Sequence, residues 1–260
     1  MKKNVLFLSF GLLSLFMFFS CLGEDEDVYV SYGVIQHFSS ANNYEILTDK
    51  GNTLVVTKSH TSQSIENDKR VLVNYEILSD KEKNRNIYEV RVNGFYSLLS
   101  KPPVYESFIL QNEEVRRDSI GNDPFNRIAV GFGGNFINID FELWHVQYSN
   151  EKHFINLVYD DLRADADTIY LGLYHNAYGE VLGNNHYLYK GAGRCSFKIS
   201  DLLPEGVTSK PVKLTWTQYN DYDNGSKICS QTYTFKPGDK SEKYGRKAQD
   251  INLISSIITR

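Results

Sequence analysis

From residue 28 to residue 100, apolar and polar residues alternate in short runs, and no helical period holds. Residues 28–36 and 44–47 read as strands, and Asp49-Lys50-Gly51-Asn52 is a tight turn before a third strand at 53–56. A polar loop over 60–68 precedes residues 70–77, where Val71, Val73, Tyr75 and Ile77 make one apolar face. After a charged loop at 80–86, residues 87–96 alternate again through Tyr88, Val90 and Val92. Five strands in about 70 residues suit a small closed or part-closed barrel. Lys101-Pro102-Pro103 then stiffens the chain, because proline fixes φ and cannot donate to a ladder. That pair marks the boundary between a barrel domain at 28–101 and a second domain at 104–237.

The second domain has a different rhythm. Strands are predicted at 128–132, 136–143, 152–159, 168–175, 193–199, 212–219 and 227–235. Gly131-Phe132-Gly133-Gly134 reads as a hairpin bend, and Tyr148-Ser149-Asn150-Glu151 as a turn between two further strands. Asp221-Tyr222-Asp223-Asn224-Gly225 links the last two, since Asn-Gly tolerates positive φ. Seven strands over about 130 residues predict an antiparallel β-sandwich. The fold class is therefore all-β, a small OB-like barrel followed by a sandwich. The tail at 238–260 is polar and basic-leaning, then rich in branched apolar residues, which fits a short helix, a last strand or an unstructured end.

The N-terminus changes the picture from a β-protein to an exported one. Lys2 and Lys3 precede an apolar run at 5–19, broken only by Gly11 and two serines. A charged start, an apolar middle and a small residue before the cut are the parts of a secretory signal, here residues 1–20. The run is shorter than the roughly 20 residues a spanning helix needs. Cys21 at the cut resembles the lipobox of bacterial lipoproteins, whose thiol carries an acyl chain such as palmitate. A Leu is usual three residues before that cysteine, where this chain has Phe18. The plain alternative is a secreted protein with an incidental cysteine. The acidic string Glu24-Asp25-Glu26-Asp27, part of a tether at 21–27, resembles the signal that takes some lipoproteins to the outer face of the outer membrane. It also reads as a solvated linker kept extended by repulsion. The expected location is thus the outer membrane, lipid-anchored and exposed at the cell surface.

Removal of residues 1–20 leaves 26 basic against 32 acidic side chains. That balance disfavours nucleic acid, which needs lysines and arginines to replace phosphate counterions. No polybasic patch faces anionic lipid, so membrane attachment rests on Cys21. Cys195 and Cys229 remain, an even number in an oxidising compartment; they form a disulfide or stay two small hydrophobic thiols.

A search for chemistry returns little, and no catalytic residue, metal ligand or cofactor site is assigned. No Gly-x-Ser-x-Gly elbow occurs, and Gly131–Gly134 lacks the Lys-Ser/Thr and helix of a phosphate cradle. His145 and His153 flank a predicted hairpin, where a three-residue loop would put them on one face and a two-residue loop on opposite faces. His175 and His186 lie near other loops, with no zinc-ligand spacing around them. Asp160-Asp161-Leu162-Arg163-Ala164-Asp165-Ala166-Asp167 is dense in carboxylates but lacks the turn Gly and terminal Glu of an EF-hand. It reads as a solvated loop. Tyr170, Tyr174, Tyr178, Tyr187 and Tyr189, with His175, Asn176, Asn184, Asn185 and His186, form the remaining candidate, a binding surface. Rings beside amides stack on sugars or anchor proteins, although strand tyrosines also serve cores.

Several segments resemble the NigD-like lipoproteins. These are Gly33-Val34-Ile35 through Thr53-Leu54, Arg70-Val71-Leu72-Val73-Asn74-Tyr75, His153-Phe154-Ile155-Asn156-Leu157-Val158 and Leu173-Tyr174-His175-Asn176-Ala177. Phe136-Ile137-Asn138 departs from the family's tyrosine-leucine-asparagine strand at its first two positions. The resemblance spans residues 10–236 and leaves the tail out. It implies an OB-like barrel, a β-sandwich and a place among proteins named for bacteriocin immunity, with no catalytic residues to transfer. The expected function is that of a non-enzymatic envelope lipoprotein binding an extracellular protein or peptide, such as a bacteriocin. Surface glycan capture through the aromatic cluster is the alternative.

Overall fold

The structure, a computed structural model, describes residues 28–40, 43–60, 65–82, 85–114, 120–147, 149, 152–163, 167–183, 187–220 and 225–238. The signal, Cys21, the acidic tether and the tail from residue 239 lie outside the described residues. Strands β1 (Val28–Ser40), β2 (Asn43–Thr48), β3 (Thr53–Ser59), β4 (Arg70–Glu82) and β5 (Ile87–Ser97) close a barrel in the order β1-β2-β3-β5-β4. Only β3 and β5 run parallel; β4 returns antiparallel to β1 and removes the free edges. Alternation decides what fills it: Val71, Val73 and Tyr75 point inward with Ile35, Ile46, Leu54, Val90 and Val92. Ile77, expected on that face, is 39% exposed because the β4–β5 register shifts between it and Ser79.

The chain then builds the sandwich from β6 (Leu99–Lys101), β7 (Val104–Tyr105), helix α1 (Glu106–Gln111), β8 (Arg127–Gly133), β9 (Phe136–Val146), β10 (Phe154–Tyr159), β11 (Ile169–Asn176), β12 (Leu188–Lys198), β13 (Lys210–Tyr219) and β14 (Ser226–Phe235). A five-stranded sheet, β14-β13-β11-β10-β7, faces a four-stranded one, β6-β12-β9-β8. Ile137, Ile139, Phe141 and Leu143 of β9 meet Ile155 and Leu157 of β10 and Leu171 and Leu173 of β11 in the core between them. The glycine-rich stretch is the β8–β9 hairpin, where Gly134 takes φ +56°. Pro102-Pro103 carries the chain from one sheet to the other, so in space the sandwich begins at Leu99, ahead of the prolines. The short helix escapes sequence patterning. Its start is held by Asp161, which accepts from the Ser107 N–H at 2.9 Å and the Ser107 hydroxyl at 2.5 Å.

With the odd residues of β9 in the core, Phe136, Asn138 and Asp140 project from the outer face of the four-stranded sheet toward the barrel. There the Arg70 guanidinium, 2% exposed, donates to both oxygens of Asp49 at 2.5 Å. It also reaches Asn138 Oδ1 and Ser196 Oγ, each at 2.9 Å. Asn138 Nδ2 donates back to Asp49 at 2.9 Å, and Ser196 Oγ donates to Asn138 at 2.7 Å. The Phe136 ring covers the guanidinium at 4.1 Å, and the Tyr32 hydroxyl donates to Asp140 at 2.8 Å. Two residues of each domain thus share one buried network.

Arg70→Met strands Asp49 as a buried unpaired carboxylate and should cost about 3–5 kcal/mol in urea denaturation. The double variant Arg70→Met/Asp49→Leu should recover most of that loss, because no charge stays buried without a partner. A single variant within 1 kcal/mol of the parent would contradict the role given to this pair.

Candidate functional site

The turn expected after Val146 does not make a hairpin. β9 pairs with β8 and β12, whereas β10 pairs with β11 and β7 in the opposite sheet. The connection therefore crosses between sheets, and His145 and His153 do not face each other across a ladder. His145 Nδ1 lies 3.1 Å from the Val146 carbonyl instead. His153 turns inward at the open end of the sandwich and meets His175, which β11 places on the core side, in line with Leu171 and Leu173.

There the two imidazoles share a hydrogen bond, His153 Nδ1 to His175 Nε2 at 2.9 Å. On the other side, His153 Nε2 donates to Glu180 Oε2 at 3.1 Å, and the Val146 N–H donates to the same oxygen at 2.7 Å. Burial raises a carboxyl, but hydrogen bonds from Ser149, Val146 and His153 outweigh it and hold Glu180 below its usual range. Burial, followed by the neighbouring His153, lowers His175 to about 3, so it is neutral at ordinary pH. Phe125 packs against its ring at 5.1 Å between centroids. This chain of Glu180, His153 and His175 ties β9, β10 and the turn after β11 together; Glu180 carries no sequence pattern that would have flagged it.

That turn carries aromatic side chains outward. Asn176 Oδ1 accepts from the Tyr178 N–H at 3.1 Å, Asp123 Oδ2 from the Ala177 N–H at 2.7 Å, and Tyr178 sits at φ +49°. A non-glycine residue in that region is sparsely populated and is held by its surroundings. The Tyr178 ring packs edge-on against Phe154 at 5.8 Å. Leu188 pairs with Val146, which brings Tyr187 and Tyr189 to the same end of the sandwich. Tyr178, Tyr187 and Tyr189 are 44%, 74% and 47% exposed.

The candidate surface thus separates into three parts. Tyr178, Tyr187 and Tyr189 form an exposed rim, His175 and Asn176 are buried beneath it, and Tyr174 points out on the far face of β11 into a groove. Asn184, Asn185 and His186 lie outside the described residues. Among the described residues no three His, Cys, Asp or Glu side chains are grouped to hold a metal. Both thiols are free, so the bridge weighed for Cys195 and Cys229 is not formed. Cys195 is buried in the core on β12, where desolvation pushes its thiol far up, whereas Cys229 belongs to the five-stranded sheet, on β14 beside its register partner Trp216 of β13. In the carboxylate stretch, Asp161 holds α1 and Arg163 pairs with Asp160 at 3.4 Å; residues 164–166 lie outside the described residues.

The depressed His175 has a sign that can be checked. Its unfolded form takes up a proton near pH 6.5 and its folded form only near 3, so its stability contribution is intact above pH 6.5 and is lost as pH falls through that window. The slope is about 1.4 kcal/mol per pH unit. Urea denaturation of the parent and of His175→Gln from pH 7 to 4.5 should show a shallower decline in the variant by about that amount. Parallel curves would contradict the buried neutral histidine.

Residues 19–98 match the NigD-like N-terminal OB domain, and residues 107–236 match the NigD-like C-terminal beta sandwich domain. The solved structure of a NigD-like immunity protein from Bacteroides caccae aligns over 80% of this chain and 97% of that one, with TM-score 0.62 and 19% identity. A candidate toxin-related protein from Parabacteroides distasonis aligns over 83% and 96%, with TM-score 0.59 and 24% identity. A candidate lipoprotein from Bacteroides fragilis aligns over 82% and 100%, with TM-score 0.58 and 12% identity. At such identities the likeness establishes the fold alone. Among curated proteins, none matches the chain. The barrel and the sandwich are each matched nearly end to end, and the chain belongs to the NigD-like family.

Proposed function

We propose that this protein is a non-enzymatic envelope lipoprotein, anchored by Cys21 in the outer membrane and exposed at the cell surface, that binds a protein or peptide through the aromatic end of its sandwich. The observation that carries this reading is the exposed set of Tyr178, Tyr187 and Tyr189 at one end of the sandwich, with Tyr178 on a turn fixed by part-buried hydrogen bonds of Asn176 and Glu180. Pre-positioned tyrosines give contact area at low entropic cost, the usual make-up of a binding hot spot. Protection against a bacteriocin is the specific form, and the name of the Bacteroides caccae neighbour supports it.

Cross-linking of the lipidated protein on living cells, with and without culture supernatant of sibling strains, tests this. One protein or peptide should be captured only with supernatant, and Tyr178→Ala/Tyr187→Ala should weaken its binding by roughly 30-fold or more at unchanged thermal stability. Capture that ignores both substitutions would overturn the reading. Tyrosine-dependent affinity for a polysaccharide would replace it with glycan capture.

A further inference from the structure

The two lateral sides of the sandwich are finished differently. On one side the sheets end in β6 and β7, of three and two residues. On the other they end in β8 and β14, of seven and ten. β14 pairs with β13 at every position from Ser226 to Phe235 without a register shift, and among the described residues no backbone group pairs with its outer edge. A free edge is ordinarily blunted by a proline, a bulge or charges. β14 has no proline and no bulge, and Lys227 is its one charge.

The apolar cover at this edge is unfinished as well. Phe132 of β8 packs on Tyr233 and Phe235 at 5.3 and 5.8 Å between centroids and closes one end of the gap between the sheets. Further along β14 the same face carries Gln231, which is exposed, and Cys229, which is half-buried. Ile128 and Val130, on the Phe132 face of β8, are half-buried too. On the opposite face of β14, Ile228 is 78% exposed. A strand added here gains main-chain hydrogen bonds and covers apolar side chains at once.

The chain delivers a segment to this place. The Gly238 N–H donates to the Gly134 carbonyl at 2.8 Å, so the backbone leaves the sandwich at the β8–β9 hairpin, three residues past the end of β14. Residues 239–260 lie outside the described residues, but their sequence has two parts. Residues 239–250 are polar, with seven charged side chains, and are long enough for a connecting loop. Residues 251–259 hold Ile251, Leu253, Ile254, Ile257 and Ile258, four of them β-branched residues that favour strands. Nine residues of strand reach about 30 Å, nearly the span of a ten-residue strand.

We propose that residues 251–259 return as one further strand, antiparallel to β14, and close the open side of the sandwich. Covered in this way, β14 offers no template to a second copy of the chain. The inference stands without the aromatic rim and its partner.

Hydrogen exchange of the intact chain, read by NMR, tests this against the double variant Leu253→Pro/Ile257→Pro, since proline cannot donate to a ladder. The β14 amides that point away from β13 should exchange roughly tenfold or more faster in the variant. Both substitutions lie outside the two domains, and the β11 amides, expected to exchange alike in both chains, report the intact sandwich. Fast exchange of the outward β14 amides in the parent, or equal protection in parent and variant, would overturn the proposal. So would protection that grows with protein concentration, which belongs to pairing between copies.

Discussion

A guanidinium shut away from water between two β-domains is a liability unless its N–H groups find acceptors. Arg70 meets that condition only when barrel and sandwich are docked. Asp49 comes from the β2–β3 turn of its own domain, while Asn138 and Ser196 are register partners on the outer face of the sandwich. Pull the domains apart and the ion pair loses the amide and hydroxyl that finish it. Partial opening is therefore costly, and the fold holds the two domains in one orientation although a single peptide link joins them. Everything placed at the ends of the sandwich inherits that orientation.

The strands of both domains were legible because alternation is imposed by geometry: side chains of a strand face opposite ways, and one face is core. Val71, Val73 and Tyr75 announce the barrel interior, and Phe136 to Leu143 the sandwich. What escaped is what alternation does not encode. β6 and β7 have three and two residues, too few for any period, and α1 has six. The turn after Val146 was recognisable, but sheet membership is a tertiary property, so a crossover was read as a hairpin. Arg70 and Asp49 are 21 residues apart with nothing local to link them.

The candidate surface shows the same division. The tyrosines cluster along one stretch of sequence, yet strand parity sends Tyr174 outward and His175 inward, and a turn sends Tyr178 to the rim. Glu180 was invisible because a lone acid in a loop carries no pattern. Its role follows from three neighbours that meet only in the fold: Val146, His153 and, through it, His175. Buried polar groups here fix positions, and the aromatics above them stay exposed.

The central claim is that barrel and sandwich form one cooperative body through the Arg70 network. Differential scanning calorimetry of the intact protein tests it most directly. A single transition, with calorimetric enthalpy equal to the van't Hoff enthalpy, is the result the account predicts. Two separable transitions, one for each domain, would contradict it.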